Sequence, residues 1–252
     1  QMCIRDRAEM MNLGGDERIY PASMTKIMTA LLTIENLPDL NETITVPEDI
    51  FEELTAQDAS VAGFNPYEQP TVRDLLYGVL LPSGADACET LARAVGGSEE
   101  GFVAMMNQKA EELGLTNTHF ENCTGLHNDN HYSTCRDIAV LMSECLKSDT
   151  FREIVTREVY TTEATASHPE GITLYDTMLH RFTSYEMSTT LENGAVIEGG
   201  KTGFTDEAGQ CLVSFAEYGG EEYILVTAEA MTDSGSAVDS IADASTVYGR
   251  LQ

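Results

Sequence analysis

The order of helix and strand signals constrains this chain more than any single motif does. Helical patterns occupy most of the stretch up to Lys147, and strand patterns crowd into the remainder. Thr71-Val72-Arg73-Asp74 and Thr134-Cys135-Arg136-Asp137 are capping-box patterns, opening apolar segments that run to Leu81 and to about Lys147. Further helices are expected over about Ala22–Glu35, over Gly84–Val95 ahead of Gly96-Gly97, and from the cap Ser98 to Leu113, where Gly114 stops the run. Strands are expected at Glu158–Thr162, Ile172–Tyr175, Ala195–Ile197, Gln210–Ala216 and Tyr223–Ala228, with Gly219-Gly220 as a hairpin turn, and a closing helix over about Ser236–Leu251. Asn41–Pro47 reads as a short strand and turn, while Glu52–Pro70 and Thr116–Tyr132 read as long loops. Helices first and strands late give an α+β fold, an antiparallel sheet flanked by helices with a helical cluster inserted.

At 252 residues the chain can bury a sizeable core, and no low-complexity tract interrupts it. With 14 basic against 42 acidic residues the formal charge is -28, which excludes a nucleic-acid partner, because nothing could neutralise phosphates at scale. No apolar run reaches the length of a membrane span. The opening heptapeptide Gln1-Met2-Cys3-Ile4-Arg5-Asp6-Arg7 lacks the apolar stretch of a signal peptide and does not match the character of the residues after it. Residues 1–7 are therefore set aside as non-native, and residues 8–252 are read as one catalytic domain whose opening strand is truncated. The six cysteines show no metal-binding spacing, so no zinc site is expected. Cys88, Cys135, Cys145 and Cys211 read as small buried thiols, and Cys123, in a loop, is a candidate for pairing without a nameable partner.

Three short motifs carry the chemistry. In Tyr20-Pro21-Ala22-Ser23-Met24-Thr25-Lys26 the serine and lysine lie three apart, on one face of a helix and one turn from each other. A serine hydroxyl becomes a strong nucleophile only when a base removes its proton. A lysine serves as that base only when burial or a neighbouring cation lowers its pKa. Alone, so common a motif reads as a helix-capping serine followed by an exposed lysine. Leu81-Pro82-Ser83-Gly84-Ala85-Asp86 places a second serine between two helices, where it could simply cap the second. Gly199-Gly200-Lys201-Thr202-Gly203-Phe204-Thr205 sets a lysine in a glycine-rich strand, and it is the only basic residue between Arg181 and Arg250. Such a lysine can attract a carboxylate, and the glycines let a substrate backbone lie close.

S-x-x-K, S-G-x and K-T-G in that order resemble the signature of penicillin-binding proteins and serine β-lactamases. The segments YPASMTKIMTALLTIE, TVRDLLYGVLLPSGADA, NTHFENCTGLHNDNHYST and GGKTGFTDEAGQCLVSFA narrow the resemblance to D-alanyl-D-alanine carboxypeptidases of the low-molecular-weight penicillin-binding type, over about Asp16 to Thr232. The resemblance implies a β-lactamase/transpeptidase-like fold and a peptidoglycan stem peptide as substrate, with β-lactams acylating the same serine and no cofactor. The alternatives are a catalytically weak peptidoglycan- or β-lactam-binding protein, a D-alanyl endopeptidase, or a β-lactamase, the last needing a water-activating glutamate that neither Glu153 nor Glu170 supplies in a convincing context. The resemblance assigns Ser23 as nucleophile, Lys26 as general base and Ser83 as proton relay. Lys201 and Thr202 would hold the substrate carboxylate, Gly203 would let the substrate approach, and the N–H groups of Ser23 and Phe204 would form the oxyanion hole. The third position of the second motif, usually asparagine in the family, is Ala85. The further β-rich domain and membrane anchor of many members are not expected here. An extracytoplasmic location follows from the substrate class alone. His131, next to a helix start, reads as a loop brace or a general base, with the brace favoured.

Overall fold

In the computed structural model the described residues are 1–5, 8–230 and 239–252. Five strands form one antiparallel sheet: β1 (Met2–Arg5), β2 (Ala8–Asn12), β5 (Val196–Thr205), β6 (Gly209–Tyr218) and β7 (Glu221–Ala230), in the order β2-β1-β7-β6-β5. A separate two-stranded ribbon pairs β3 (Val159–Thr161) with β4 (Thr173–Tyr175). The hairpin at Gly219-Gly220 joins β6 to β7, both glycines adopting positive φ.

Residues 211–216 carry apolar side chains on both faces, interrupted only by Ser214, because both faces of β6 are covered. Val213 and Phe215 belong to the core shared with the helices, whereas Leu212 and Ala216 belong to the core under α9 (Asp239–Tyr248). Strand period decides which residue faces which core. Tyr248 closes the second core, its hydroxyl donating to the Ser214 carbonyl at 2.9 Å. The α9 expectation extends to residues 236–238, which lie outside the described residues.

The helical layer is built around α1 (Lys26–Asn36), whose residues Lys26–Thr33 are all buried. It continues directly from a 3₁₀ turn, Ala22–Thr25, and packs against α3 (Val72–Leu80), α4 (Ala85–Gly96), α5 (Glu99–Leu113), α6 (Cys135–Cys145) and α7 (Asp149–Val155). An all-round buried helix has no polar stripe, as the run Ile27-Met28-Thr29-Ala30-Leu31-Leu32 shows.

Both caps act as the sequence requires, with one difference. At Thr71 the box is complete, Thr71 Oγ1 accepting from the Asp74 N–H while Asp74 accepts from the Thr71 N–H. At Thr134 only the forward half forms, because the Asp137 carboxylate accepts instead from the Asn117 N–H (2.9 Å) and the Thr118 hydroxyl (2.8 Å). That exchange ties the 116–132 loop to α6.

Several elements depart from expectation. Residues Ile50–Ala56 form a helix, α2, inside the stretch read as loop. Residues Asn41–Pro47 contribute only an isolated bridge from Thr43 to Thr71. Two short helices, α7 and α8 (Leu179–Ser184), have no counterpart in the sequence reading. The segment excluded from the fold is part of it: Met2–Arg5 pairs with both β2 and β7, burying Cys3 in one core and Ile4 in the other. Four residues carry too little pattern to read as a strand, but docked between two partners they satisfy the sheet's backbone groups.

All six cysteines are free and buried, Cys123 included. No described helix is long and apolar enough to cross a membrane.

Candidate active site

Ser23 sits on the 3₁₀ turn that precedes α1, directly after Ala22, whose φ of 46° is left-handed. A non-glycine residue held there costs energy and persists only where its surroundings enforce it. Neither the turn nor α1 is capped by a side chain, so Ser23 is not the helix cap that the motif alone allowed. Its half-buried hydroxyl lies 2.9 Å from Lys26 Nζ.

Lys26 is only 3% exposed. Its Nζ donates to the Thr124 carbonyl at 2.6 Å. Burial holds its pKa below the ordinary lysine value, with partial compensation from Cys88, Cys123 and Asp86. In the neutral form one N–H stays on Thr124 and the lone pair is free to take the Ser23 proton. The Thr124 contact was not readable from the motif, since the acceptor is a backbone carbonyl 98 residues away.

Ser83 caps nothing either, as α4 is capped at Gly84 without a side-chain bond. Like Ala22 it has positive φ, 66°. Lys201, 1% exposed, donates to Ser83 Oγ and to the Thr202 carbonyl, both at 3.0 Å. It is therefore not an exposed strand lysine. Burial, then the Lys26 charge, pushes its pKa down, and the buried Asp176 carboxyl opposes that shift. Asp176 in turn is pushed up by burial, while the N–H groups of Leu179 and Met178 donate to its Oδ1 at 2.7 and 2.9 Å. Thr202 Oγ1 lies 2.6 Å from Thr177 Oγ1. Asp176 and Thr177, just ahead of α8, are site residues that sequence reasoning missed.

The edge strand β5 packs directly on the turn that carries Ser23. A Cβ on Gly203 would stand 3.1 Å from both the Ser23 nitrogen and the Pro21 carbonyl, so only glycine leaves this approach free of strain. Phe204 follows with 55% of its surface exposed, forming part of a cleft of about 80 Å³. Ser23, Lys26, Ala85, Thr124 and Gly125 line the same cleft, whereas Ser83, Lys201, Thr202 and Gly203 are buried outside its lining.

Ala85 is buried, its N–H donating to the Ser60 carbonyl at 2.7 Å. Its neighbour Asp86 cannot stand in for a missing amide, because its carboxylate already accepts from the N–H groups of Ala62, Gly63 and Phe64.

His131 is a brace. The Glu121 N–H donates to Nδ1 at 3.1 Å, which leaves Nε2–H to donate to Thr25 Oγ1 at 2.8 Å. Burial pushes its pKa down to about 3, so the ring is neutral and both nitrogens are occupied. A β-lactamase on this fold also needs a glutamate to activate the deacylating water, and neither Glu153 nor Glu170 lines the Ser23 cleft; both are exposed. Among the described residues one group of three ligand-capable side chains is clustered, Glu89, Glu99 and Cys123, which come from three segments and so show no spacing in sequence.

A serine–lysine pair and a serine–lysine contact, meeting where a sheet edge packs on a buried helix, define the class: the fold is that of the penicillin-binding proteins. The crystal structure of the Streptomyces K15 DD-transpeptidase superposes with a TM-score of 0.83 at 30% identity, covering 98% of this chain and 95% of that one. Penicillin-binding protein 5 from Haemophilus influenzae gives 0.79 at 26% identity, covering 96% and 67%. The family model described as D-alanyl-D-alanine carboxypeptidase matches residues 10–232, and the chain belongs to that family. A relative named D-alanyl-D-alanine carboxypeptidase DacF, from Bacillus subtilis, is 35% identical over 230 residues. That alignment takes in 90% of this chain but only 56% of the relative. The D-alanyl-D-alanine carboxypeptidase of Streptomyces sp. strain K15 is 36% identical over 217 residues, covering 83% and 72%.

Proposed function

We propose that this chain is a serine-type D-alanyl-D-alanine carboxypeptidase that removes the terminal D-alanine of a peptidoglycan stem peptide through an acyl-enzyme. One observation carries the reading: a buried lysine amine stands 2.9 Å from the hydroxyl of a serine on a strained turn. Neutral Lys26 takes the Ser23 proton as Oγ attacks the penultimate carbonyl, and charge on the carbonyl oxygen develops against the N–H groups of Ser23 and Phe204. Ser83 passes a proton to the departing D-alanine nitrogen, and water then releases the shortened peptide. Lys201, below its pKa, and Thr202 hold the terminal carboxylate. The family's role in peptidoglycan metabolism supports an extracytoplasmic location. β-Lactams, which present a carboxylate and a reactive carbonyl at similar spacing, would acylate Ser23.

The test is incubation with a fluorescent penicillin, followed by a D-alanine release assay on a pentapeptide. A stable adduct absent from Ser23→Ala, together with D-alanine release, is the expected result. Labelling that survives Ser23→Ala would sink the assignment. The lost amide at Ala85 favours one second reading, a slow enzyme that acts mainly as a binder, and labelling without D-alanine release would select it.

A further inference from the structure

Beside the catalytic cleft lies a second recess of about 250 Å³, sharing Thr124 and Leu126 with it. At its inner wall the buried Glu89 of α4 and Glu99 of α5 bring carboxyl oxygens within 4.8 Å of one another and of Cys123 Sγ. Two carboxylates this close in a buried site repel each other, and a proton held between them relieves the repulsion. Both reach the same loop residue: the Cys123 N–H donates to Glu99 Oε1 at 3.2 Å, and its thiol points at Glu89 Oε1 at 3.5 Å. The next residue, Thr124, holds Lys26 through its carbonyl.

We propose that Glu89 and Glu99 share one proton that latches the 121–126 loop onto α4 and α5, and that both act as positioning residues for Lys26. The consequence for catalysis rests on the general-base reading above; the latch itself does not.

The surrounding charges bear on that proton in both directions. Arg93 Nε lies 3.7 Å from Glu89 Oε2 and opposes protonation, but its guanidinium is engaged more closely by Asp49, at 2.7 Å. Glu53 from α2, with Glu121 and His127 from the loop, completes the rim. Burial and the neighbouring Glu99 carboxylate raise the Glu89 pKa to about 8, and the Cys123 thiol is pushed up as well, so it stays a donor.

Opening the loop would hydrate Glu89 and remove the burial that chiefly raises its pKa, loosening its hold on the shared proton. Opening is therefore suppressed at low pH and becomes easier by at most ~tenfold per pH unit up to the closed-state pKa, above which it levels off.

The experiment is amide hydrogen exchange of segment 121–128, corrected for intrinsic rate, across pH 5–9 in the wild type, Glu89→Gln and Glu89→Ala. Penicillin acylation is measured on the same samples. In the wild type, protection should fall from pH 5 to about 8 and then plateau. Glu89→Gln, which donates to Glu99 without a titrating proton, should be flat and acylate within about threefold of the wild type. Glu89→Ala should lose protection at every pH and acylate about tenfold slower or worse, since Lys26 is no longer held in place. A pH-independent wild type, or alanine and glutamine variants that behave alike, would overturn the proposal. So would protection lost on adding EDTA at fixed pH, which would put a metal ion between the carboxylates. A wild type with the expected exchange profile but no acylation would refute the functional reading and leave the latch standing.

Discussion

Gly125 gives the most direct test of how Ser23, the proposed nucleophile, is held. It lies at φ +83°, and a Cβ built there would sit 1.9 Å from the Ala22 carbonyl oxygen and 3.0 Å from the Ser23 nitrogen. Alanine can be accommodated only if the loop and the nucleophile turn separate by more than about 1 Å, a misplacement of the size that costs ~100-fold in rate. The left-handed backbone adds roughly 1–2 kcal/mol for any residue with a Cβ. Gly114 separates the two effects, because it has nearly the same φ, +73°, with nothing within 4 Å of an added methyl. Gly114→Ala should therefore lower the melting temperature by about 2–8 °C for a chain of this size and leave acylation unchanged. Gly125→Ala should lose at least as much stability and, in addition, about 100-fold in the second-order rate of penicillin acylation. The assay pairs differential scanning fluorimetry with stopped-flow acylation at fixed pH. Equal acylation rates in the two variants would refute the claim that the 122–126 loop sets the position of Ser23.

Four further outcomes are expected. If Lys201 holds the substrate carboxylate as proposed, it does so only while protonated; burial lowers its pKa to about 7, so KM for D-alanine release should rise as pH increases through that value. Asp176→Asn removes the anion that supports the charged form and should move this rise to lower pH; an unchanged KM profile would exclude Asp176 from the site's electrostatics. Asp86→Asn turns one of two accepting oxygens into a donor facing a backbone N–H, which should cost about 1–3 kcal/mol and be read as a melting-temperature loss of several degrees. Ala85→Asn returns an amide to the cleft wall it shares with Lys26 and should speed acylation by about tenfold, the value of one hydrogen bond; a rate at or below wild type would show that the slot is not available to it.

How much of the fold and the site is legible in the residues depends on how far each signal reaches along the chain. Thr71, Ser98 and Gly114 mark helix ends through bonds that span three or four residues, so local sequence suffices to place them. Lys26 and Ser23 share a face for the same reason. Ala85 and Lys201 could be singled out by motif, but their burial could not, because it depends on segments more than a hundred residues apart meeting at Ser83. The glycines of β5 hid most of that strand's length, since the property that makes Gly203 fit beneath Ser23, a missing side chain, also erases the strand pattern. Thr124 is the extreme case. Its side chain contributes nothing to Lys26, its carbonyl is common to every residue, and its position is fixed by Asn122, Gly125 and the carboxyl pair behind Cys123. The base proposed at Lys26 would thus be made by parts that leave no motif: burial from the helical core, a backbone acceptor from a distant loop, and whatever holds that loop shut.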